Sequence, residues 1–195
     1  GEPLGLLIEE QRTNLLTYSE QFDNAAWTKS VTTVIPNSAI SPSGVADAEK
    51  VVKDNGAATT VNVAARFSVT PAASQFNISV YVKSAGFDEV TLIASSSASA
   101  ESRWLTFNLA TKTVRGINPG IGSIATSYIF QDVGNGWFRV GVTSGAAAVS
   151  NSFQLWLPYT GDGTSGIYIW GAQLEAGSFP TSYIPTVASQ VTRAA

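Results

Sequence analysis

The chain contains no cysteine, no methionine and no histidine. Without cysteine there are no disulfides and no thiolate sites for metal or redox chemistry. Without histidine there is no Ser–His–Asp triad, no Cys–His pair, no imidazole acid–base step and no histidine-ligated zinc. Any catalysis would have to rest on carboxylates, Tyr, Lys or Arg. Charge is scarce as well: Asp, Glu, Lys and Arg make up 13% of the chain, about half their usual share. The eleven basic residues are scattered singly in a chain of net charge −3, so there is no basic patch or stripe to track nucleic acid. No apolar run approaches the length of a membrane-spanning segment. The missing methionine, at position 1 as elsewhere, reads as a piece of something longer.

What remains is rich in apolar and small polar residues. Hydrophobic residues account for 44% of 195 positions, with five Trp, six Tyr and nine Phe. That length suits one domain over residues 1–195, which would bury roughly 70% of its unfolded surface. Residues 187–195, "VASQVTRAA", lack a clear period and read as a linker or tail leading to other modules of a larger chain.

Short runs that alternate apolar and polar residues recur between Gly, Pro, Ser and Asn. They predict strands over Leu4–Glu9, Glu49–Val52, Thr59–Phe67, Gln75–Lys83, Glu89–Ala94, Arg103–Leu109, Thr126–Asp132, Trp137–Thr143, Ser152–Leu157 and Gly166–Glu175. "QFNISVYVK" shows the pattern: Phe76, Ile78, Val80 and Val82 alternate with Asn77, Ser79, Tyr81 and Lys83. About ten short strands separated by turn signals argue for an all-β antiparallel β-sandwich or barrel. "NLATKTV" reads as a tight hairpin, and "GINPGIGS", residues 116–123, as a loop within the domain. The best helical candidate is "SEQFDNAAW", with Ser19 as its cap and Phe22 and Trp27 pinning it to the body.

Three stretches carry a resemblance. "GLLIEEQRTNLLTYSEQFDNAAWTK" is similar to a segment that recurs in bacteriophage tail and prophage structural proteins. "FNLATKTV" followed by "VGNGWFRVGVT" resembles the paired hairpin and Gly-Trp-aromatic-Arg strand of those modules. "YIWGAQLEAGSFPTSYIPT" resembles their closing strand. Order and spacing match from about Gly5 to Arg193. These modules resemble the jelly-roll carbohydrate-binding modules that accompany glycoside hydrolases and polysaccharide lyases. The resemblance implies two stacked antiparallel sheets, a ligand on a concave face or loop edge, and a structural calcium near the chain ends. In the closing strand, Gln173 and Glu175 stand where related modules have paired acids. The resemblance also places Tyr168, Trp170 and Leu174 in the core, with Gln173 and Glu175 pointing away and Pro180 and Pro185 marking an extended exit.

A sugar stacks its C–H faces on flat rings while neighbouring amides and guanidinium groups read its hydroxyls. That chemistry selects Trp156 and Gln154, which share the face opposite Phe153, Leu155 and Leu157, with Tyr159 just beyond the strand. It also selects Trp104, with Thr106 and Asn108, opposite Leu105, Phe107 and Leu109, and Arg139 beside Trp137. Trp156 covered by a loop is an equally good reading, and packing of Arg139 against Trp137 is the better one there. For calcium, Asp47 or Glu49 with Glu9 or Glu175 could supply oxygen ligands, against the alternative of solvated turn carboxylates. A carboxylate pair for glycoside hydrolysis has no support in spacing. The expectation is therefore a non-catalytic carbohydrate-binding jelly roll of a phage tail or prophage surface protein. It would be extracellular or on the virion, binding a bacterial surface glycan or other polysaccharide, with no nucleic-acid or membrane partner. The alternative is a structural or assembly module of a tail fibre with no sugar ligand, in which Trp104 and Trp156 are covered by protein.

Overall fold

The computed structural model describes residues 9–58, 61–67, 75–96, 102–116, 123–125, 127–145 and 151–195. Their strands, in chain order, are β1 (Arg12–Asn14), β2 (Thr28–Lys29), β3 (Thr32–Ala39), β4 (Ala48–Lys53), β5 (Val61–Phe67), β6 (Phe76–Ala85), β7 (Glu89–Ser96) and β8 (Arg103–Asn108). There follow β9 (Thr113–Arg115), β10 (Ser123–Ile124), β11 (Tyr128–Gly134), β12 (Trp137–Thr143), β13 (Asn151–Trp156), β14 (Gly166–Ala176) and β15 (Val191–Arg193). The described residues contain no helix. They form an all-β sandwich of jelly-roll type, almost wholly antiparallel, as the alternating runs predict. One sheet has seven strands in the order β10-β8-β7-β13-β5-β2, with β9 on β8; the other has six in the order β11-β12-β6-β14-β4-β3.

The core lies between the two sheets and is built by period-two alternation. The seven-stranded sheet contributes Val90 and Leu92, Leu105 and Phe107, and Phe153 and Leu155. Facing them are Ile78, Val80 and Val82 of β6, Val140 and Val142 of β12, and Ile167, Ile169, Ala172 and Leu174 of β14. Each such aliphatic or Phe side chain, taken fully out of water, contributes about 1.5–3 kcal/mol. Trp27 closes one end against Phe22, at 4.7 Å between ring centroids, and Phe153, at 5.5 Å.

Residues 18–27 form three successive turns rather than a helix: Gln21 N–H donates to Tyr18 O, Asn24 N–H to Gln21 O, and Trp27 N–H to Asn24 O. Ser19 does not cap a helix. Its hydroxyl bonds the Tyr183 hydroxyl at 2.6 Å and accepts from Thr186 N–H at 2.8 Å. The Lys29 ammonium instead gathers the turn by donating to the carbonyls of Phe22, Asp23 and Asn24.

A second correction concerns β14. Its register slips between Trp170 and Gln173, where Gly171 adopts φ +62°. A β-carbon there would stand 3.0 Å from the Tyr81 ring, so the residue type follows from both backbone and space. The bulge inserts one residue and reverses the alternation. Tyr168 and Trp170 therefore leave the core for the outer face, joining Ala48, Trp137, Tyr81 and Tyr183, whereas Leu174 stays inside. Gln173 and Glu175 do point away from the core, yet both are wholly buried.

They are buried under a strap formed by residues 177–186. Glu175 accepts from Thr181 N–H and Oγ1 and from Gln173 Nε2, at 2.7–2.8 Å, while Gln173 Oε1 accepts from Ile184 N–H at 2.6 Å. Asn14 is equally saturated: its amide donates to Ala172 O and Ile184 O, and its oxygen accepts from Leu16 and Leu174 N–H. The tail read as a linker continues into β15, which pairs antiparallel with β1, Thr13 opposite Thr192. The predicted strand at Leu4–Glu9 and the loop at 116–123 fall mostly outside the described residues.

Candidate functional site

The strongest concentration of unused polar and aromatic chemistry lies on the outer face of the seven-stranded sheet. Alternation sends every second residue of β7, β8 and β13 there, and the register aligns them in rows. One row is Trp156, Thr91, Thr106 and Arg115; the next is Gln154, Ile93 and Trp104; Glu89 and Asn108 lie on the other side of the first. At about 4.8 Å between strands and about 3.3 Å rise per residue, Trp156 and Trp104 are about 12 Å apart at Cα.

The centre of the face is sealed. Thr91, Ile93 and Thr106 have no exposure, and the two threonine hydroxyls bond each other at 2.7 Å. The β13 edge of the same face is more open: Gln154 and Trp156 are half-buried. The indole N–H groups of Trp104 and Trp156 are both out of water and have no acceptor among the described residues. Leaving such a donor unpaired costs about 1–3 kcal/mol, so this face holds hydrogen-bonding capacity that the fold does not use.

At one end the face is charged. Glu89 takes a two-armed ion pair from the Arg115 guanidinium and a hydrogen bond from Asn108 Nδ2 at 3.1 Å. Burial alone would raise the Glu89 carboxyl, but the hydrogen bonds of Arg115 and Asn108 outweigh it and hold it below its ordinary value. Tyr159 stands close by, its ring stacked on Phe87 at 4.6 Å. Burial first, then the charges of Glu89 and Asp88, push its hydroxyl above the ordinary value.

Of the six residues selected from sequence, five gather on or beside this face and one does not. Trp156 and Gln154 stand together on it as expected, although Gln154 donates to Ser152 Oγ at 2.8 Å. Trp104 is on the expected face, but the expectation that it is exposed is corrected: it is 2% accessible. Asn108 is taken up by Glu89 and Tyr159 by Phe87. Arg139 is on the other sheet altogether. There it is buried, donates to Thr181 O at 2.6 Å and Ser79 Oγ at 3.1 Å, and stacks on Tyr81 rather than on Trp137. Its role in this structure is to clamp the strap. Glu89, Thr91 and Arg115 were not selected, though the alternation of "EVTLIAS" already sends Glu89 and Thr91 to the face opposite Val90 and Leu92; Thr106 entered only as a polar neighbour of Trp104.

The carboxylates named for calcium are not gathered into one cluster. Among the described residues no group of three or more acids is arranged to hold a metal ion. Glu9 accepts from Ser182 N–H and pairs with Arg193, Glu175 serves the strap, and Glu49 accepts from Asp23 N–H at 2.9 Å. Glu49 is 3% exposed. Burial, with the Asp23 charge beside it, pushes its carboxyl up to about 7.

No protein-family model matches the chain, and no curated protein is similar to it in sequence. Solved structures similar in form include the two that follow. One is that of the N-terminal endo-1,4-beta-D-xylanase 10B of Clostridium thermocellum, CBM22-1 and GH10 modules, complexed with xylohexaose. It aligns at TM-score 0.44 and 12% identity over 90% of this chain and 30% of that one. The other is the enzymatically active domain of tailspike protein 4 of bacteriophage CBA120, at TM-score 0.42 and 15% identity over 83% of this chain and 21% of that one. This chain thus spans less than a third of either structure.

Proposed function

We propose that the protein is a non-catalytic carbohydrate-binding module of a phage tail or prophage surface protein, acting outside the cell or on the virion. The observation that carries this reading is the pairing of Trp156 with Gln154 on the outer, non-core face of the seven-stranded sheet. Both are half-buried, and the Trp156 indole N–H lacks an acceptor. A saccharide ring would stack on the indole while its hydroxyls exchange hydrogen bonds with the Gln154 amide. Single-site affinity would be weak, and repetition along a fibre would raise it through effective concentration.

One observation favours a second reading, a structural or assembly module without a sugar ligand: Trp104, Ile93, Thr91 and Thr106 are sealed from solvent. Affinity electrophoresis in gels containing neutral and bacterial surface polysaccharides, with Trp156→Ala and Gln154→Ala beside the parent, separates the two. Retardation of the parent in at least one gel, reduced about tenfold or more in Trp156→Ala with the melting temperature held, supports glycan binding. No retardation in any gel favours assembly, and retardation in the neutral gels that survives both substitutions overturns the Trp156 site.

A further inference from the structure

A different face carries two lysines without a carboxylate partner among the described residues. Of the eleven basic residues, Arg12, Lys112, Arg115 and Arg193 are ion-paired. Lys29 and Lys53 hold backbone carbonyls, and Arg139 clamps the strap. Lys50 and Lys83 are half-buried and have no carboxylate partner among the described residues. They are not scattered. Lys50 of β4 and Lys83 of β6 are the two cross-strand neighbours of Tyr168 on β14, so the three form one row, Lys50–Tyr168–Lys83, on the outer face of the six-stranded sheet.

The row continues to Ile35 of β3, which is 45% exposed, on the Lys50 side. On the Lys83 side, Gly136 of the β11–β12 hairpin faces the lysine stem: a β-carbon on it would meet Lys83 Cε at 3.4 Å. Tyr168 is half-buried and rests on the Trp137–Trp170 cluster, and the Trp170 indole N–H is buried without an acceptor. The strap covers the lower half of this face, over Gln173 and Glu175. The upper half thus presents a supported aromatic ring between two ammonium groups, in a protein whose net charge is negative.

We propose that this row is a binding site for an acidic polysaccharide, a sugar ring carrying a carboxylate. The ring's C–H face stacks on Tyr168, and its carboxylate lies between the Lys50 and Lys83 ammonium groups. Strand spacing puts the two lysine Cα atoms about 10 Å apart with Tyr168 between them, a span long stems close readily onto one anion. Nucleic acid fits less well, because two cations neutralise too little of a phosphate track on a chain of charge −3. The site is independent of the Trp156 face, so either can fail without the other.

Affinity electrophoresis in polygalacturonate, alginate and neutral dextran, with single-stranded DNA as a further probe, tests it. The parent is retarded by at least one of the acidic polymers and not by dextran, and the retardation fades as salt is raised. Lys50→Gln/Lys83→Gln weakens it about tenfold or more, Tyr168→Ser weakens it too, and Lys112→Gln, at an exposed lysine paired with Asp132, leaves it unchanged. Thermal melts of each variant confirm that the fold is kept. No retardation in either acidic polymer, equal retardation of parent and double variant, or DNA binding as strong as acidic-glycan binding and indifferent to Tyr168→Ser would each overturn the proposal.

Discussion

The outer faces of the two sheets differ in how completely their most deeply buried side chains are paired. Under the strap on the six-stranded sheet, Glu175, Gln173 and Asn14 are almost fully sheltered, and the donors and acceptors they bring are paired with backbone or with one another. On the seven-stranded sheet, Trp104 and Trp156 are drawn out of water with their indole donors left unpaired. The first arrangement is that of a closed joint, in which each group removed leaves a partner stranded. The second forgoes stability that a ligand or a partner surface would recover. The Lys50–Tyr168–Lys83 row shows that the contrast follows coverage rather than sheet identity, since it lies on the strapped sheet just where the strap ends.

The largest effect is expected where the joint is tightest. Replacing Glu175 by Ala strands Thr181 N–H and Oγ1 and one Gln173 amide donor in a site with no exposure. Each stranded buried donor costs about 1–3 kcal/mol, and more where the lost partner was charged. Glu175→Ala should therefore lower unfolding free energy by about 3 kcal/mol or more in a denaturant titration. It should also raise amide exchange over residues 178–186. A change below about 1 kcal/mol would mean that the strap is not a joint at all.

The next effect is read in pH. The strap is anchored on the turns at 18–27: Tyr18 N–H donates to Val187 O, and Ser19 N–H to Thr186 O. Those turns sit on Glu49, whose carboxyl is raised to about 7 by burial and by Asp23. In the unfolded chain it would titrate near 4.5. Between those values the folded state holds the extra proton. The contribution is therefore fully present below about 4.5, falls as pH rises, and is lost above about 7. The loss is on the order of 3 kcal/mol. Glu49→Gln, which keeps an acceptor for Asp23 N–H, should flatten the fall in stability between pH 4.5 and 7. A parent protein that gains stability across that window would contradict the assignment.

These features differ in how far the sequence disclosed them. Alternation alone placed Phe153, Leu155, Leu105 and Phe107 in the core and Trp156, Gln154, Trp104 and Asn108 opposite, because a strand has only two sides. It could not show that the bulge at Gly171 reverses β14, since a one-residue insertion is invisible to a pattern whose two halves are both apolar. It also missed β3, where Pro36 interrupts "TTVIPNSA"; such a strand is tolerated at an edge, which is where β3 lies. Exposure was the least legible quantity. Which face a residue takes is a local property, but what covers it is set by segments distant in the chain. Trp104 and Arg139 fail for that reason alone: one is sealed, and the other is held by Thr181, 42 residues away.

The smallest effect is the most pointed test of the open face. If the Trp104 indole N–H is a stranded donor, Trp104→Phe removes an unpaid polar group while keeping most of the ring. The usual cost of shrinking a buried aromatic is then offset, because a buried donor without an acceptor carries a penalty of its own. The expected change in unfolding free energy is within about 1 kcal/mol of zero, of either sign. Trp137→Phe is the matched control. Trp137 is as deeply buried, and its indole N–H donates to Ile40 O at 3.0 Å, so its loss removes a hydrogen bond and should cost more by about 1 kcal/mol. Equal losses in the two variants would show that the Trp104 donor is satisfied, and the distinction between the two faces would then rest on exposure at Trp156 alone.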